Sequence, residues 1–153
     1  MSLLVVFSFS CKKDDAVGGT NVQNLSGDWY VKVNGAGNYA TAYTYNTSDN
    51  SSTQMWIQST GIKSGTKALG VKGKVSVNVT GQTFSGTGIT NVNAATSTAI
   101  PTFAIANGKI VSNGTVGPQS KTPTDLISFD LIISGVTYKI EGYHKTGFLT
   151  DIP

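Results

Sequence analysis

From Trp29 onward, apolar and polar residues trade places with a period of two. Successive side chains of a strand point to opposite faces, so the pattern predicts strands with one buried face. The clearest case is Val71-Lys72-Gly73-Lys74-Val75-Ser76-Val77-Asn78-Val79, with its valines all on one side. The same alternation predicts strands over 29–33, 39–45, 53–59, 83–90, 102–106, 109–116, 125–134 and 136–143. No stretch carries a helical period. Turn residues fall between the strands, at Asn34-Gly35, Ser48-Asp49-Asn50, Thr80-Gly81, Asn107-Gly108 and Ser134-Gly135. Asn107-Gly108 reads as the strongest hairpin signal, because both positions of a type I′ turn tolerate positive φ.

Eight or nine strands joined by short connections predict an all-β, antiparallel up-and-down meander. Such a sheet either leaves its edges exposed or closes on itself. A closed barrel of about eight strands has room inside for side chains or one small ligand. A β-sandwich is the alternative, and the short connections favour the barrel. Alternation turns one set of residues inward: Tyr43, Tyr45, Met55, Ile57, Val75, Val77, Phe84, Phe103, Ile105, Phe129, Leu131, Tyr138 and Ile140. These either line a pocket, with tyrosine hydroxyls orienting a polar head group, or fill a dry core. Gly73, Gly86, Gly88 and Gly114 remove volume from strands, which favours a cavity or strong strand bending.

The chain ahead of the strands has a different character. Residues 3–9 are an apolar run of seven that includes Ser8, far short of the roughly 20 residues of a membrane-spanning helix. The run matches the apolar part of a secretory signal, or its tail end. It lacks a preceding basic segment, which a start upstream of Met1 would account for. Ser8-Phe9-Ser10-Cys11 resembles a bacterial lipobox, in which lipid is attached to the cysteine. Lys12-Lys13-Asp14-Asp15 resembles the surface-export signal of Bacteroidetes lipoproteins. The expected organisation is a signal remnant over 1–10, a lipidated Cys11 with a flexible tether over 11–24, and a barrel over 25–153. Acyl chains on Cys11 would hold the domain at the outer membrane or cell surface.

Charge and chemistry narrow the function further. Charged residues make up 12% of the chain, against about 25% in an average soluble domain, and the net charge is +3. All eleven basic residues are lysines and they are scattered, which argues against a nucleic-acid partner. The densest set is Lys63, Lys67, Lys72 and Lys74, the last two on the polar face of a strand. Cys11 is the sole cysteine, so the folded domain has no disulfide framework or thiolate metal cluster. The Gly-x-Ser-x-Gly elbow of serine hydrolases is absent. His144 is the one histidine, and Glu141, three residues earlier, would face the other side of a strand. Asp130 and Glu141 could approach each other across the last hairpin at the roughly 5–10 Å of a glycosidase pair, but Lys139 beside them suggests ordinary surface pairing. The glycine- and lysine-rich run 65–74 lacks phosphate-loop spacing. No catalytic residue, metal or cofactor is expected.

Three blocks carry a family resemblance. Leu25-Ser26-Gly27-Asp28-Trp29-Tyr30-Val31 opens the first strand with Gly-x-Trp, as in lipocalins and other calycins. Tyr45-Asn46-Thr47-Ser48 and Met55-Trp56-Ile57 form the second block, and Tyr143-His144-Lys145-Thr146-Gly147-Phe148 closes the last strand. Together they resemble the Bacteroidetes lipoproteins called lipid-binding putative hydrolases, small calycin-like barrels. The resemblance implies a lipid or another apolar small molecule as ligand. It also implies barrel closure by a basic side chain over the first-strand tryptophan, here Lys145 over Trp29. Such a cation–π contact is worth about 0.5–2 kcal/mol. The family usually has arginines where this chain has His144 and Lys145. A non-catalytic surface module with a filled core stays open beside the lipid-binding reading. It would bind protein or glycan at an aromatic patch around Tyr39, Tyr43 and Trp56, with Gln54 and Gln58 flanking Trp56.

Overall fold

A computed structural model describes residues 18–153. In chain order the strands are β1 (Gly27–Val33), β2 (Ala36–Asn46), β3 (Gln54–Thr60), β4 (Lys63–Ser64), β5 (Lys67–Ala68), β6 (Lys72–Asn78), β7 (Thr83–Thr90), β8 (Thr102–Val116), β9 (Pro123–Ile133) and β10 (Val136–His144). β4 and β5 form a small separate hairpin in the β3–β6 connection. The other eight pair antiparallel with their sequence neighbours, and β10 returns to β1. The meander closes as the alternation predicts, and the sandwich is ruled out. Closure pairs every barrel strand on both sides over at least part of its length.

Two hairpins use the turns that their residues announce. Asn34 and Gly35 (φ 51° and 69°) join β1 to β2, and Ser134 and Gly135 (φ 50° and 76°) join β9 to β10. Asn107-Gly108 behaves differently. It lies inside β8, a single strand of 15 residues, where the sequence predicts two strands and a turn. Of the two residues, Asn107 is left-handed, at φ 52°, and Gly108 is not. The ladder to β9 shifts register between Ala106 and Lys109, the mark of a β-bulge. Glycine is required at 108 because a Cβ there would run into the Phe84 carbonyl oxygen and ring.

The interior is one hydrophobic cluster fed by every barrel strand. The rings of Phe84 on β7 and Phe129 on β9, two non-adjacent strands, meet at 5.8 Å, so side chains occupy the barrel at that level. A 3₁₀ turn at Gln23–Leu25 inserts Val22 and Leu25, both fully buried, beneath one end. Asn21 fastens this turn by two hydrogen bonds with Asn50. Among the described residues, packing against the barrel therefore begins by Val22, inside the stretch that the sequence suggests is tether. Cys11, the lipobox-like run and the 1–10 segment lie outside the described residues.

The other chain end is latched. Asp151, in the 3₁₀ turn Leu149–Asp151, is buried. Its carboxylate accepts hydrogen bonds from the backbone of Gln119 and Ser120 (2.9 Å each) and from the hydroxyls of Ser120 (2.6 Å) and Thr146 (2.7 Å). Burial alone would push its pKa up, but the Ser120, Thr146 and Gln119 donors outweigh that and hold it well below the usual carboxylate range. The Tyr143 hydroxyl donates to the Asp151 carbonyl (2.7 Å), and burial raises that phenol to about 12.

Candidate functional site

The structure places most of the expected lining residues inside. Met55, Ile57, Val75, Phe84, Phe103, Ile105, Phe129, Leu131, Tyr138 and Ile140 are buried in the interior, with Val77 packed partly buried against them. Tyr43 and Tyr45 are the exceptions, because β2 turns Ala42 and Thr44 inward. Trp29 explains the inversion. It lies directly opposite Ala42, and its indole N–H donates to Thr44 Oγ1 at 2.9 Å. The indole fills the space beside β2, which leaves room there only for small side chains.

The expected closure by Lys145 does not form over Trp29. Register places His144 opposite Trp29, and Lys145, one residue on, falls on the outer face. The His144 ring meets Trp29 edge to face at 5.1 Å. Gly27 of the Gly-x-Trp block makes that contact possible, since a Cβ there would collide with both rings. Lys145 instead lies 5.0 Å from the Tyr30 ring and 5.5 Å from that of Tyr43, with Asp28 at 3.7 Å.

On the opposite flank the barrel wall is interrupted. The β6–β7 ladder covers only Ser76–Asn78 against Thr83–Ser85. Beyond Ser76 the strands separate, and β6 is next tied at Lys72 to the segment that follows β7, the Lys72 carbonyl accepting from Val92 N at 2.8 Å. A bulge in β7 opens the seam: Gly86 pairs with Ile105 and Ile89 with Phe103, so β7 uses one residue more than β8 over this step. Gly88 takes φ 59° within it. The Ile89 side chain lies across the gap, over Gly73 and Gly86. A Cβ on Gly86 would sit 2.9 Å from Ile89 Cδ1, and one on Gly73 would collide with Ile89 Cγ2.

Above this seam runs an open groove of about 820 Å³, within the roughly 300–1,000 Å³ of small-molecule sites. The largely buried Ile89 and Ile105 underlie its floor, and the exposed Val92 also lines it. Gln54, Ser76, Ser85, Thr87 and Asn107 form its polar rim, with Trp56 and Lys74 at one side. A depression of about 590 Å³ continues past Ser76, Ser85 and Asn107 to Lys109. Trp56 sits in a cross-strand row, Tyr45–Trp56–Lys74. Tyr45 stacks near it at 6.4 Å and 20°, while the Lys74 and Lys72 ammonium groups lie 5.4 and 5.6 Å from its ring. These neighbours crowd the indole faces, which disfavours Trp56 as a stacking platform for sugar.

The acids considered for catalysis stay apart from the histidine. Asp130 and Glu141 border a shallow depression of about 240 Å³ with Asn107, Ser128 and Lys139. Asp130 accepts from the Asn107 amide at 2.7 Å and lies opposite Lys139 in register. His144 sits at the far end of β10 against Trp29. Among the described residues, no three of His, Cys, Asp and Glu group as metal ligands.

Alternation along single strands cannot show a seam, so Thr87, Ile89 and Asn107 escape it as site residues. Spacing carries the signal. Phe84 and Ile89 are five apart, as are Ile105 and Ile110, and each pair points inward. An odd spacing on one face requires a bulge between the two residues.

Fold and groove define a small, closed up-and-down β-barrel with an amphipathic cleft on its outer wall. The chain belongs to the lipid-binding putative hydrolase family, whose model matches residues 14–149. Comparison with curated proteins gives no match.

Proposed function

We propose that this protein binds a lipid or a comparable apolar small molecule without turning it over, and that the ligand lies in the groove over the β6–β7 seam. The observation that carries the reading is the interrupted ladder, which sets an apolar floor of Ile89 and Ile105 under a rim of hydroxyls and amides. Family membership points to the same ligand class. The interior, with Phe84 and Phe129 in contact across it, serves as a core.

The protein is further proposed to be a lipocalin-like lipoprotein of Bacteroidetes type, held by acyl chains on Cys11 at the outer membrane or cell surface. Support comes from the lipobox-like run and from one end of the barrel. The chain enters β1 where β10 finishes, and near that end Phe148, Leu149 and Ile152 stand exposed.

Native mass spectrometry of the full chain, purified without detergent and incubated with a phospholipid and fatty-acid mixture, tests the groove. A one-to-one lipid adduct is expected, and Thr87→Trp, which fills the groove from an exposed position, should remove it with little change in Tm. A wild-type mass that stays bare, or an adduct that survives in Thr87→Trp, overturns the assignment.

A further inference from the structure

The charges around the groove are one-sided. Lys74 lines it and Lys72 stands beside it, both against Trp56, and Lys109 borders its continuation. Among the described residues, no carboxylate contributes to the lining of either depression. The nearest acid on the β8 side, Asp130, is occupied by the Asn107 amide. Asp49, in the turn after β2, lies outside the lining; its carboxyl pKa is lowered first by the Thr47 side chain and least by the Lys74 charge. Among the described residues the ion pair that forms is Lys145 with Asp28, near one end of the barrel, so no described carboxylate sits within ion-pair distance of Lys72 or Lys74.

Polarity also changes across the groove. One side offers the ammonium groups, held by cation–π contact against an indole that limits their wandering. The apolar floor lies directly beside them, with Ile89 over Gly73 between the two lysines and Ile105 beyond it on β8. The facing hydroxyls of Ser76 and Ser85, which are cross-strand partners, border the floor farther along β6. A ligand matching this arrangement has an anionic head on the β6 side and a hydrocarbon chain reaching across toward β8.

We infer that the groove selects anionic single-chain amphiphiles, with the head group on Lys72 and Lys74 and the chain laid along Ile89 and Ile105. This rests on the groove being the lipid site. Carboxylate and phosphate heads share the required chemistry, since a lysine ammonium meets either as a point charge. Burial of the chain supplies most of the affinity, and the lysines supply the discrimination against neutral lipids.

The probe is cis-parinaric acid, whose fluorescence rises in apolar surroundings, compared with its methyl ester, the same chain without the charge. The full chain should bind the acid roughly tenfold more tightly than the ester, equivalent to about 1.4 kcal/mol. Lys72→Gln/Lys74→Gln should erase the preference by weakening the acid alone, and added salt should do the same in the wild type. Competition by oleoyl lysophosphatidate but not by oleoyl alcohol would extend the rule to phosphate heads. Equal binding of acid and ester, or a preference that survives the double substitution, overturns the inference while leaving the groove as a neutral lipid site. Displacement of the acid by equimolar acetate would also overturn it, because the site would then read the anion alone. Failure of both acid and ester to bind would sink the groove reading itself, and this inference with it.

Discussion

Gly73 and Ile89 allow the seam to be tested by stability alone. Gly73 does not need a left-handed backbone, so in an ordinary strand Gly73→Ala would stabilise by about 0.4–1 kcal/mol through the unfolded chain. Here the new methyl would press on Ile89 Cγ2 and lie 3.0 Å from Phe103 Cζ. A β-branched side chain has little freedom to yield, and overpacking of this kind costs about 1–3 kcal/mol. Overpacking outweighs the entropic gain, and Gly73→Ala should be destabilising by about 1 kcal/mol, a fall in Tm of roughly 3–5 °C. Ile89→Ala should cost about 2 kcal/mol, the low end for such truncations, because this side chain borders the open groove. In the double variant the methyl added at position 73 enters space that Ile89 has vacated, and the collision disappears. Its cost should fall below the sum of the single costs by about 1–2 kcal/mol, well outside the ~0.5 kcal/mol scatter of independent sites. Urea unfolding of the four proteins, followed by circular dichroism, measures this coupling. A stabilising Gly73→Ala, or simple additivity, would refute the picture of Ile89 lying over Gly73.

Two further predictions concern the buried polar groups. Thr44→Val keeps the side-chain shape but strands the Trp29 indole N–H, both residues being buried; the expected loss is about 1–3 kcal/mol. Trp29→Phe/Thr44→Val should cost less than the sum of its single changes, as urea melts would show. Asp151 has a folded pKa below the ordinary carboxylate value near ~4. Its stabilisation is therefore complete above that pH and is lost as pH falls toward the lower folded value. Asp151→Asn should lower Tm at pH 7 and flatten the fall in Tm between about pH 5 and 2 relative to wild type. Calorimetry across that range decides, and parallel acid limbs in the two proteins would show that the latch is not titrating.

Much of the barrel is legible in the chain because a two-residue period reports directly on faces. Seven of the expected strand positions, from 29–33 to 136–143, need only their ends adjusted by a few residues; the pair 102–106 and 109–116 fuses into β8. Other features escape for identifiable reasons. Asn107-Gly108 satisfies the chemistry of a turn and that of a bulge equally well, and the Phe84 backbone beside Gly108 makes the choice. Tyr43 and Tyr45 alternate as a core face would. The volume of Trp29 on the neighbouring strand sends them outward, which is a relation between strands. The groove depends on where a ladder stops, a property that belongs to no single strand. Lys145 is different, since alternation from Tyr143 already places it on the outer face, away from Trp29.

Barrel closure has a consequence for how this chain acquires its structure. β1 finds its second partner only in β10, so Trp29 must wait for His144, almost the whole length of the domain away. Loop-closure entropy is spent before that pairing gives anything back, which makes for high contact order and slow, cooperative folding. Until the last strand arrives, the partly made sheet carries two open edges, one on β1 and one on the newest strand. A ribosome-bound chain is thus most exposed to edge-to-edge association in its final stretch of synthesis, and Gly142→Ala would prolong that interval. A Cβ at 142 meets the Tyr30 carbonyl in the very ladder that seals the ring.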